Sequence, residues 1–105
     1  MIEIKSGDYG FDISFTVTES DGVTARDLTD CVVTFKVWDT GNLILEGTCD
    51  VDSAEDGTCH YTVQKGDFEI PENINYRDYN CEIELNYEGI VISTKTETLR
   101  VYASV

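Results

Sequence analysis

Phe11-Asp12-Ile13-Ser14-Phe15-Thr16-Val17 is the stretch that decides the fold. Its odd positions are apolar and its even positions polar. Successive side chains of a strand leave opposite faces, so this run buries one face and wets the other. Working outward, Ile2 and Ile4 predict a short first strand, broken by Lys5-Ser6-Gly7-Asp8. The quoted run extends from Tyr9 to Thr18 and stops at Glu19-Ser20-Asp21-Gly22, where Gly22 can take a positive φ. Val23 to Leu28 reads as an irregular edge segment, and Asp27-Leu28-Thr29-Asp30 as another turn.

Further along, Cys31, Val33, Phe35 and Val37 alternate with Val32, Thr34, Lys36 and Trp38, which predicts a strand closed by a hairpin at Asp39-Thr40-Gly41-Asn42. The return, Leu43 to Val51, places Leu43, Leu45, Gly47, Cys49 and Val51 on one face. An acidic loop, Asp52 to Gly57, leads to a strand with Cys59, Tyr61 and Val63 in phase. Lys65 to Asn75 is the longest segment without a strand pattern, and Pro71 limits any helix there to about one turn. Tyr79, Cys81, Ile83, Leu85 and Tyr87 alternate with Asn80, Glu82, Glu84 and Asn86 up to a Glu88-Gly89 turn. The last strand, Ile90 to Val101, changes phase: Ile90 and Ile92 are even, Leu99 and Val101 odd. A one-residue slip would flip every side chain, so a β-bulge is expected between Thr94 and Thr98. The sum is an all-β chain, an immunoglobulin-like antiparallel β-sandwich of seven to eight strands, as a single domain over 1–105. Tyr79, two residues before Cys81, fits either a tyrosine corner with its hydroxyl returning to backbone or an ordinary core tyrosine. Trp38 falls seven residues after Cys31 and out of phase with it, so no antibody-type Cys-Trp-Cys core is expected.

Composition narrows the function classes. The chain has 105 residues, 41% of them hydrophobic, enough for one core without staples. Its 21 acidic and 7 basic side chains give a net charge of −14. That field repels a phosphate backbone and an anionic membrane surface, so neither nucleic acid nor membrane is an expected partner. It also keeps copies apart in solution, or suits a basic partner. Met1-Ile2-Glu3-Ile4-Lys5 opens on a strand pattern, without the n- and h-regions of a signal peptide, and no apolar run reaches a membrane span's length. Folding in a cytoplasm is the expectation.

The residues that carry chemistry elsewhere form no constellation here. Cys31, Cys49, Cys59 and Cys81 all take the inward phase and none belongs to a Cys-x-x-Cys pair, which favours core packing over zinc. Cys49 and Cys59 could face each other across the hairpin, and Cys31 and Cys81 could bridge the sheets, if the protein meets an oxidising environment; an intracellular chain would keep all four reduced. Asp50 to Gly57 is rich in carboxylates, but its spacing is not that of an EF-hand and a solvated hairpin tip is the simpler reading. His60 is the only histidine and points away from the Cys59 face, so a Cys–His pair is unsupported. Glu82 and Glu84 read as a wet strand face. With no Gly-rich phosphate loop and no serine elbow, the sequence predicts no enzyme, catalytic residue, cofactor or metal site. Binding potential rests on exposed aromatics: Trp38 first, then Tyr102 and Phe68, with Tyr9 beside them. Trp38 either faces a partner or packs under the Lys65 to Asn75 segment.

The order of these motifs resembles the N-terminal immunoglobulin-like domain of the phage baseplate upper protein family. The likeness runs through Lys5-Ser6-Gly7-Asp8, Phe11 to Thr18, Asp21-Gly22, Asp27-Leu28-Thr29 and Val33-Thr34-Phe35-Lys36-Val37. It continues through Asp56-Gly57, Tyr61-Thr62-Val63, Tyr79 to Ile83, Glu88-Gly89 and Leu99-Arg100-Val101, so it covers nearly the whole chain. The resemblance implies a non-enzymatic structural and docking module of a tailed-phage virion, in tail, baseplate or head decoration, assembled in the host cytoplasm. Its expected partners are other virion structural proteins, with a homo-oligomer as a further option. The family's trimerising stalk and receptor-binding head have no counterpart in these residues, and Cys49 and Cys59 depart from its pattern. The competing reading is an extracellular adhesin or carbohydrate-binding β-sandwich of a bacterial surface, which implies oxidised cysteines.

Overall fold

The computed structural model describes residues 1–94 and 96–104. It holds β1 (Ile2–Lys5), β2 (Asp12–Thr16), β3 (Val32–Asp39), β4 (Asn42–Thr48), β5 (Asp50–Ser53), β6 (Thr58–Thr62), β7 (Tyr76–Tyr87), β8 (Ile90–Ser93) and β9 (Glu97–Tyr102), with no helix among the described residues. The larger sheet runs β1-β9-β7-β3-β4 with β8 also paired to β7, and the smaller runs β2-β6-β5. This is the expected two-sheet, immunoglobulin-like β-sandwich. Two details differ from expectation. Among the described residues nine strands replace seven to eight, because two predicted strands each divide. The sheets are antiparallel except for β1 and β9, the two ends of the chain, which pair in parallel.

The inward phases build the core. Ile13 and Val17 from β2 and its continuation meet Val33, Phe35 and Val37 from β3, Ile83 and Leu85 from β7, and Leu99 and Val101 from β9, all buried. The Phe35 ring lies 5.2 Å from Phe15 and 5.3 Å from Tyr61, so one side chain of the larger sheet bridges two strands of the smaller. Gly47 on β4 carries no side chain because the Tyr61 ring occupies the space a Cβ would need.

The first divided strand is Leu43 to Val51. Cys49 is the single residue between β4 in the larger sheet and β5 in the smaller, and there the chain changes sheets. The uniform face expected for this run breaks twice. A register shift pairs Val37 with Leu45 but Trp38 with Leu43, which leaves Ile44 as an extra residue and moves Leu43 onto the face of Trp38. Val51, on the far side of the crossing, is exposed.

The second is Ile90 to Val101. Glu84 pairs with Ser93 and Cys81 with Glu97, so two residues of β7 oppose three on the returning chain. That one-residue excess is the expected change of phase. Lys95, at its centre, lies outside the described residues. Thr94 on its near side exchanges bonds with Ile83: its N–H donates to the Ile83 carbonyl at 2.8 Å and its Oγ1 accepts from the Ile83 N–H at 3.0 Å. Tyr79 behaves as the core-tyrosine alternative. It is 9% exposed, and its hydroxyl has no hydrogen bond to backbone among the described residues.

Candidate docking surface

β7 is twelve residues long and begins at Tyr76, three residues before the strand that alternation in the sequence marks at Tyr79. Its inward phase is buried at Tyr79, Cys81, Ile83 and Leu85. Its outward phase, Tyr76, Asp78 and Asn80, therefore lies on the solvent face of the larger sheet. Directly opposed residues share a face, so the register places Tyr102 and Arg100 of β9 beside Tyr76 and Asp78, and Trp38 of β3 beside Asn80. Trp38 and Tyr102, chosen from sequence for their aromatic character, thus stand on one face of one sheet.

Arg100 organises this face. It donates from Nε and Nη2 to the two carboxylate oxygens of Asp78, at 2.7 and 3.0 Å. Its guanidinium lies 4.0 Å from the centre of the Tyr76 ring and 5.9 Å from that of Tyr102, within cation–π range of both. The Tyr102 hydroxyl donates to Glu3 at 3.3 Å. The paired hydrogen bonds hold the Asp78 carboxyl below the usual carboxylate range and raise the Arg100 pKa. Further along the face, Lys36 Nζ and Glu84 form an ion pair at 2.5 Å, which raises the Lys36 pKa. Trp38 itself is half-buried between Leu43 and Asn80. Arg100, Tyr76 and Tyr102 are thus held against one another, and arginine, tyrosine and tryptophan are the residue types that dominate protein contacts, which makes this face the candidate docking surface.

The other two aromatics lie elsewhere. Phe68, expected at the surface, is 2% exposed and belongs to the core. The Lys65 to Asn75 segment turns inward: the Phe68 carbonyl accepts from Gly7 N–H at 2.8 Å, Ile70 N–H donates to Ser6 Oγ at 2.9 Å, and both apolar side chains pack on the core cluster. The longest segment without a strand pattern thus packs on the core beside the turn that follows β1. Trp38 is not part of that cluster. Tyr9 is 55% exposed in the turn before β2. Sequence reasoning missed Tyr76 and Arg100. The available signal was the phase of Tyr76 and Asp78, which continues the Asn80 alternation upstream.

The cysteines follow their inward phases. Cys49, Cys59 and Cys81 are buried, Cys31 is half-buried against the core, and all four are free thiols. The neighbouring Cys59 thiol, together with burial, pushes the Cys49 thiol up. Burial pushes Cys81 up to about 11, so its thiol is protonated at neutral pH and a poor nucleophile.

On the outer face of the smaller sheet, His60 of β6 sits among three carboxylates. Its Nδ1 lies 2.7 Å from Asp52, and its Nε2 lies 3.6 Å from Asp50 and 4.0 Å from Asp12. The hydrogen bond to Asp52, with the field of all three, raises the imidazole pKa above 6.5. The folded state thus binds this proton more tightly than the unfolded chain. Its contribution to stability is complete below the unfolded value and is lost as pH rises through the folded one. Urea midpoints should therefore fall from pH 6 toward pH 8, and His60→Gln should flatten that decline; an unchanged slope in the variant would assign it to other groups.

The sequence matches no protein-family model and no curated protein. Solved structures do share the fold. The N-terminal domain of phage TP901-1 ORF48 is similar with a TM-score of 0.61 and 11% identity, over 98% of this chain and 83% of that one. CopC from Methylosinus trichosporium OB3b is similar with a TM-score of 0.55 and 6% identity, over 100% of this chain and 88% of that one. At such identities the likeness is one of fold.

Proposed function

We propose that this chain is a non-enzymatic structural and docking module of a tailed-phage virion, in tail, baseplate or head decoration, acting by protein–protein contact. The observation that carries the reading is the end-to-end likeness of its fold to the N-terminal domain of a phage protein. The face of Trp38, Tyr76, Arg100 and Tyr102 supports it, because it gathers on one sheet the residue types that dominate protein contacts. Other virion structural proteins are the partners, met during assembly in the host cytoplasm. The charge of −14 discourages self-association until a complementary partner is reached.

Particles assembled without this protein test the reading. Mixed with the purified chain, they should take it up, and uptake should weaken as salt rises. Trp38→Ala and Tyr102→Ala should each weaken uptake about tenfold or more, as central aromatic contacts do. Uptake that ignores salt would remove electrostatics from the account, and no uptake at any salt would sink the proposal.

A further inference from the structure

The sandwich is open along one side. β2 forms one edge of the smaller sheet, and β8 pairs only with β7 in the larger. Between these edges runs a crevice of about 470 Å³, lined by Phe15 and Val17 from one sheet and Ile83, Leu85 and Ile92 from the other. β8 reads Ile90-Val91-Ile92-Ser93 and is exposed throughout, with Ile90 at 60%, Val91 at 55% and Ile92 at 39%. Monomeric proteins blunt such edges with charge, proline or a bulge, because an unpaired apolar strand recruits another. β8 itself carries none of these.

The backbone of β8 is set for pairing. Thr94 N–H donates to the Ile83 carbonyl, so Ile83 and Thr94 form a hydrogen-bonded pair, in register with Leu85–Ile92 and Tyr87–Ile90. In an antiparallel ladder the intervening residues turn their N–H and C=O groups the other way. Val91 and Ser93 therefore turn their donors and acceptors to the open side, where they have no partner among the described residues.

Charge selects the occupant. Glu19 and Glu97 line the crevice, and Asp27 and Asp30 line the cavity that adjoins it. Arg26 is the one cation among these described lining residues, and Glu19 holds it at 2.9 Å. A second copy would bring the same acidic rim and another net charge of −14 to the contact. An extended segment bearing lysine or arginine would meet opposite charge instead.

We propose that β8 is an open pairing edge that takes an extended, basic segment of a partner protein, adding it to the larger sheet as a strand with its apolar residues over the crevice. The choice of a protein partner rests on the docking-module reading. The probes are two blocked octapeptides, one alternating lysine with valine and one alternating glutamate with valine. The Lys/Val peptide should slow amide exchange at Val91 and Ser93 in the wild-type protein, and its affinity should fall about tenfold from low to high salt. The Glu/Val peptide should do neither. Val91→Pro removes an outward N–H without touching the β7 ladder, and should weaken Lys/Val binding about tenfold or more. No protection at these two amides, or equal protection by both peptides, overturns the proposal. Protection that rises with protein concentration alone overturns it in favour of a second copy. Particle uptake that survives Val91→Pro removes the β8 edge while leaving the docking-module reading in place.

Discussion

Phe35→Ala is expected to lower the unfolding free energy by about 3–5 kcal/mol. The side chain is wholly buried, at 0% exposure. It spans the interior from the larger sheet to Phe15 on β2 and Tyr61 on β6, both near 5 Å and at tilted angles of 40° and 35°. Such aromatic pairs add about 0.5–1.5 kcal/mol each beyond area burial, so the ring contributes twice over, once as volume and once as geometry. Backbone pairing fixes the strands on either side, so the sheets cannot collapse freely into the space left behind. Domains of this size are stable by only about 5–15 kcal/mol, so the variant should melt more than about 10 °C lower. Phe35→Leu keeps most of the volume and should cost less, about 1–2 kcal/mol. Val32→Ala, on the exposed phase of the same strand, should stay within about 0.5 kcal/mol. Urea midpoints of the three variants test the series. A loss below about 1 kcal/mol in Phe35→Ala would mean that this ring does not couple the sheets.

How much of this was legible in the sequence follows from what alternation can report. Period-two patterning is a local property, so it found the core phases of β2, β3, β6 and β7 and placed all four cysteines inward. It also marked the phase change in the last strand, because a one-residue excess leaves a trace in the pattern itself. It could not report where a chain changes sheets. At Cys49 the apolar period carries on from Leu45 to Val51 while the strand crosses from one layer to the other, so the pattern continues but its meaning does not. The same limit hid the fate of Phe68. A segment without a strand pattern gives no inward phase, so Phe68 reads as exposed, yet hydrogen bonds to Ser6 and Gly7 hold the segment against the core. The candidate docking face was half legible. Trp38 and Tyr102 were visible as outward aromatics, but the pairing of β9 with the early part of β7 joins Tyr76 and Arg100 to them across more than twenty residues of sequence.

Gly57→Ala is expected to be as damaging as a core truncation, by a different route. Gly57 is buried and holds φ at +69°, a conformation that costs an L-residue about 1–2 kcal/mol. Its added Cβ would also run into backbone: the Val17 carbonyl well inside contact distance, and the Arg26 carbonyl and amide at 2.8 and 3.3 Å. Neither obstacle is free to move. The Gly57 carbonyl accepts from Val17 N–H at 2.8 Å, the Val17 carbonyl accepts from Arg26 N–H at 2.9 Å, and the Gly57 N–H donates to Ala54 at 3.2 Å. Relieving the clash therefore means lengthening bonds that tie the end of β2, the irregular Val23 to Leu28 segment and the acidic hairpin together. With about 0.5–1.5 kcal/mol for each bond weakened, the total reaches about 3 kcal/mol or more. Gly22 supplies the control. It too has a positive φ, +74°, but a Cβ there meets open space. Gly22→Ala should cost only the conformational part, about 1–2 kcal/mol. The difference between the two variants in denaturant midpoint isolates the crowding, and faster amide exchange at Val17 and Arg26 in Gly57→Ala alone would locate it. Equal losses would reduce Gly57 to an ordinary turn glycine, and the junction it occupies would then be held by something other than close backbone approach.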